Sequence, residues 1–85
     1  MFNITVARVD RPTESFTRLG GKTLVESLME LGKIINTVCE TYGKHGQVMV
    51  REIEDDPYGA SRHLGWETPE GFKPFITITL KDDHA

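Results

Sequence analysis

The chain has 85 residues, 27% of them charged and 38% hydrophobic, and a net charge of −3, a composition that points to one domain over 1–85 and excludes a disordered chain. Residues 1–44 carry a net +1 and residues 45–85 a net −4, which argues against the broad Lys/Arg surface that nucleic acid demands. No apolar run nears the ~18–20 residues of a bilayer crossing, no charged stretch opens a secretion signal, and Cys39 is the single cysteine, so a reducing, cytoplasmic setting is expected.

Phe2 to Val9 reads as a first strand, β-branched, with Phe2, Ile4 and Val6 on one face and Asn3 and Thr5 on the other. Asp10 to Ser15 breaks it, since Pro12 cannot donate to a ladder. Phe16 and Leu19 are expected to tuck the following connection against the core, and Gly20-Gly21 to swing the chain into a helix.

That helix, Lys22 to Tyr42, is the strongest feature. Leu24, Leu28, Leu31, Ile35, Val38 and Tyr42 stay within about 40° of one line at ~100° per residue. Adding Val25, Gly32, Ile34 and Cys39 widens the non-polar arc to roughly 180°, against the ~100° that a one-sided surface helix needs. Thr23 to Glu26 forms a capping box, and Gly43 suits a left-handed closing residue. The arc exceeds what one sheet face can hide, so self-association through the helix flank or an open sheet edge is expected.

Gln47 to Glu54 reads as the next strand, Asp56 to Ala60 as a turn, and Ser61 to Glu67 as a short third strand. Thr68-Pro69-Glu70-Gly71 is a second turn. Ile76, Ile78 and Leu80 alternate with Thr77, Thr79 and Lys81 in a final strand over 72–81, ahead of a polar tail, Asp82 to Ala85. The expected fold is α+β, one helix packed on a small mixed or antiparallel sheet, in the order β-α-β-(β)-β. The first β-α-β unit would cross over right-handed if its strands were parallel.

Motifs for chemistry are thin. Gly20-Gly21-Lys22-Thr23 lacks the earlier glycine of a phosphate-binding loop, where Phe16 stands. Glu52, Glu54, Asp55 and Asp56 lack calcium-loop spacing and read as a solvated, edge-protecting run. His45, His63 and His84 are scattered, Cys39 lies mid-helix, and no serine sits in a nucleophile elbow. No metal, cofactor or catalytic residue is therefore assigned. The segment Asp56–Phe72 is richer. It holds Tyr58, Arg62, His63 and Trp66 among four Gly/Pro residues, and Trp, Tyr and Arg dominate interface hot spots. These four are the candidate partner-binding residues, with a core-capping role for Trp66 as the alternative.

In element order alone, a β-α-β-plus-hairpin chain of this size resembles the protomer of the tautomerase superfamily. That resemblance implies a helix-and-sheet oligomer with an N-terminal proline as base. This chain begins Met1-Phe2, so no catalytic position carries over. The reading is a protein-binding module acting as a regulator, adaptor or inhibitor, a class that includes phage-encoded anti-host factors, and working as a homodimer or higher oligomer. The competing reading is a small oligomeric enzyme of tautomerase-like or nuclease type, in which Arg62, His63 or Glu52 would act at a site shared between subunits.

Overall fold

Among the described residues the elements are β1 (Phe2–Arg8), β2 (Ser15–Gly21), α1 (Leu24–Tyr42), β3 (Met49–Asp56), β4 (Gly59–Thr68) and β5 (Gly71–Asp82). The computed structural model describes residues 1–11, 13–56 and 59–82. The break at Pro12, the turn residues Pro57 and Tyr58, and the tail Asp83 to Ala85 lie outside the described residues.

The strands make one sheet in the order β2-β1-β5-β4-β3, and every neighbouring pair is antiparallel. The α+β class holds, with α1 packed on a five-stranded sheet. Two expectations change. The 10–21 connection contains a strand, so the order is β-β-α-β-β-β, and the element order behind the tautomerase likeness is lost. The strands flanking the helix, β2 and β3, occupy opposite edges of the sheet, so no parallel neighbours call for a crossover rule.

Cross-strand partners share a face. Val6 stands opposite Ile78 and Ile4 opposite Leu80, Ala60 opposite Leu80 and Leu64 opposite Ile76. With Phe2 these residues are buried and meet Leu31 and Ile34 of the helix. The other face is hydroxylic. Thr17, Thr5, Thr79 and Ser61 run side by side across four strands, and Thr5 and Thr17 hydrogen-bond through their Oγ1 atoms at 3.0 Å.

The helix begins as the capping box requires: Glu26 N–H donates to Thr23 Oγ1 at 3.2 Å, and Lys22 N–H donates to the Glu26 carboxylate at 3.2 Å. Its end differs from expectation. Gly43 has φ −62° and stays right-handed, its N–H donating to the Cys39 carbonyl. The buried line also differs. Ser27, Leu31 and Ile34 are its buried residues, about 50° round from the apolar line at ~100° per residue. The cause is the close crossing of α1 over β2. Ser27 is fully buried and lies against Gly20, where a Cβ would come within 3.3 Å of its Oγ. Small residues on both elements let the helix settle there. Leu28 is left 38% exposed, Val25 69% and Met29 63%.

At the far end of α1 Tyr42, Phe75 and Trp66 form an aromatic column, Trp66 stacked on Phe75 and Tyr42 tilted against it. Phe75 lies 4.7 Å from Tyr42 and 4.9 Å from Trp66, centroid to centroid. The β4–β5 register shifts between Leu64 and Gly65, which turns Phe75 into this column beside Ile76. The turn at Thr68–Gly71 forms as read: Gly71 takes φ +112°, and Thr68 Oγ1 accepts from Glu70 N–H and donates to the Gly71 carbonyl.

Candidate functional site

α1 lies nearest β2 and β1, and along its second half it leaves a groove of about 480 Å³ against them. The floor is apolar: Val6, Phe16, Ile34, Val38, Tyr42 and Ile76. Phe16 is 56% exposed, its ring presented to the groove from an edge strand. This is the volume and character of a site that takes a ligand group or a partner's side chains.

The rim is charged and tied in two clusters. Arg18 and Lys33 both reach Glu30, at 3.1 and 3.2 Å. Arg8 reaches Asp10 at 3.1 Å and Glu14 at 3.8 Å, and Arg11 also holds Glu14, at 3.3 Å. The second cluster is balanced. The first sets two cations on one carboxylate, so a positive charge remains over beside the apolar floor.

The structure does not bring the three described sequence candidates, Arg62, His63 and Trp66, together. Tyr58 lies outside the described residues. Arg62 points to the helix side of β4, opposite Ile78. Its side chain is 11% exposed and donates to Asp55 at 3.0 Å and to the Ser61 carbonyl at 3.1 Å. Glu52 stands across from it on β3. His63 is on the opposite face, between Arg51 and Thr77. Trp66 is on the helix side in the aromatic column, four residues along β4 from Arg62, or about 13 Å at strand rise. Its ring covers Gly46 in the chain after α1, as a residue closing the end of the core would. The Asp56–Phe72 segment is thus no loose connection: most of it is β4, a ten-residue strand.

Among the described residues, no group of three or more His, Cys, Asp or Glu could hold a metal ion, and no helix is long and apolar enough to cross a membrane. Comparison with protein-family models, curated proteins and solved structures gives no match.

Proposed function

We propose that this protein acts by binding another protein, as a regulator, adaptor or inhibitor, and that the groove between α1 and β1–β2 receives the partner. The observation that carries the reading is Phe16, a large aromatic left 56% exposed on an edge strand and lining an apolar groove. With 56% of Phe16 still open, covering the remainder by a partner contributes roughly 1–2 kcal/mol. The lone thiol, half-buried on α1, suits a reducing compartment, and the proposal places the protein in the cytoplasm.

Self-association belongs to the same proposal. Val25 and Met29, 69% and 63% exposed on the outward flank of α1, with no added-Cβ contact at Gly32 between them and Asn36, support a second copy packing there.

Affinity capture from the native host tests the groove, comparing the native chain with Thr37→Trp. Thr37 is an exposed helix residue on the rim, and an indole there fills the groove at little cost to folding, because Thr and Trp have similar helix propensities. One stoichiometric protein, retained by the native chain and lost with Thr37→Trp at an unchanged thermal midpoint, is the expected result. Equal recovery by both chains refutes the groove as the site.

A further inference from the structure

Among the described residues β2 and β3 are the outer strands of the sheet, and the two edges are treated differently. β3 is defended: its register shifts between Glu52 and Glu54, and four acidic residues fall within Met49–Asp56. A bulge and a run of charge are the usual means of preventing unwanted strand pairing. β2 has neither over Ser15–Leu19. There its register with β1 is uninterrupted, from Ala7 opposite Ser15 to Asn3 opposite Leu19. Its only charged residue is Arg18, and Phe16 and Leu19 are 56% and 62% exposed. An undefended, regular edge beside an apolar groove is the geometry of strand addition, in which backbone hydrogen bonds give affinity and alternate side chains give specificity.

We infer that β2 receives an extended segment of the partner as a sixth strand, with an apolar side chain seated beside Phe16 in the groove and a carboxylate beside Arg18. The inference rests on reading the groove as the partner's site. The spacing follows from the pleat. Phe16 and Arg18 lie opposite Val6 and Ile4, on the helix side, so the incoming residues beside them are two apart. The acidic preference follows from charge. Arg18 and Lys33 share the single carboxylate of Glu30, and a second carboxylate balances the trio. A second copy of β2 is disfavoured as the occupant, because it would bring its own Arg18 to an already cationic rim.

Panning a displayed library of random twelve-residue peptides against the full chain tests this. The expected enrichment is an Asp or Glu two positions from an aliphatic or aromatic residue. A synthetic peptide of the enriched sequence is then methylated at one backbone nitrogen at a time, and its Kd is read by fluorescence polarisation. Strand addition predicts a tenfold or greater loss at every second residue and little change between. Arg18→Gln should weaken the peptide about tenfold, and Arg18→Glu should favour a peptide whose acid is replaced by lysine. A flat methylation profile, an enrichment without the acid, or no enrichment overturns the inference. So does a dimer that Arg18→Gln stabilises, since the edge then pairs with itself. If the profile is flat but Thr37→Trp still abolishes peptide binding, strand addition fails and the groove stands. Peptide binding indifferent to Thr37→Trp removes the groove as well.

Discussion

Replacing Trp66 with alanine separates a packing role from a partner-facing one. The indole stacks on Phe75 at 4.9 Å with an interplanar angle of 23° and shields Gly46, whose added Cβ would lie 3.4 Å from the ring. Truncating a large aromatic in a packed site costs about 3–5 kcal/mol, of which roughly 0.5–1.5 kcal/mol belongs to the ring pair itself. Because Trp66 keeps partial exposure, the lower end, about 3 kcal/mol, is expected. In a domain this small each kcal/mol moves the midpoint by about 4–8 °C, so Tm should fall by about 12–24 °C. Calorimetry gives the midpoint, and urea unfolding followed by circular dichroism gives the free energy without needing the indole as a probe. Trp66→Phe, which keeps a ring on Phe75, should lose about 1.5 kcal/mol or less. A midpoint for Trp66→Ala within about 4 °C of the native chain, with a large loss of partner affinity, would refute the packing argument and return Trp66 to the contact surface.

Other substitutions probe other joints of the fold. Ser27→Leu should destabilise by about 1–3 kcal/mol in urea unfolding, because the α1–β2 crossing has no room for it; a neutral result would mean the crossing relaxes freely. Gly65→Ala should lose about 3 kcal/mol or more on thermal unfolding, since its Cβ would overlap the Lys73 carbonyl and the Pro74 Cα, backbone atoms that cannot swing aside. Thr23→Ala should lower stability by about 0.5–2 kcal/mol through the helix cap, and helicity by circular dichroism should fall with it. Light scattering coupled to size exclusion at micromolar concentration should return at least a dimer mass, and Met29→Lys should restore the monomer; a clean native monomer would end the self-association proposal.

The parts of the fold that bury a regular pattern were legible in the sequence. Ile76, Ile78 and Leu80 declare a strand because each reaches the core, and Thr23 with Glu26 declares a helix start through local hydrogen bonds. β2 was not legible, for a physical reason. As an edge strand it buries little, so nothing selects an alternating pattern along it. Its two large apolar residues, Phe16 and Leu19, stand three apart and fall on opposite faces, and the two glycines after them read as a hinge. The groove went unseen with it, since one wall of the groove is that strand. The tilt of the helix was hidden for a related reason: it depends on Ser27 meeting Gly20, a contact between two small residues that carry no hydrophobic signal. Trp66 and Arg62 drew attention by residue type, which says nothing about which face of β4 they take or what they touch there.

The strand order also governs how the molecule is assembled in time. β3, β4 and β5 form a meander of local turns, and β1 and β2 a local hairpin, so each block can close early from nearby residues. The two blocks pair only where β5, the outer strand of the meander, meets β1, matching Phe2 with Asp82 and Arg8 with Ile76. That seam spans nearly the whole described sequence, and contacts of such separation place folding toward the slow end for a domain of this size. Until the seam closes, Ile4 and Val6 on one side and Leu80 and Ile78 on the other lack the cross-strand neighbours that help bury them, and both halves expose strand edges to other chains. The same seam that completes the core is therefore the one whose delay most exposes the chain to aggregation.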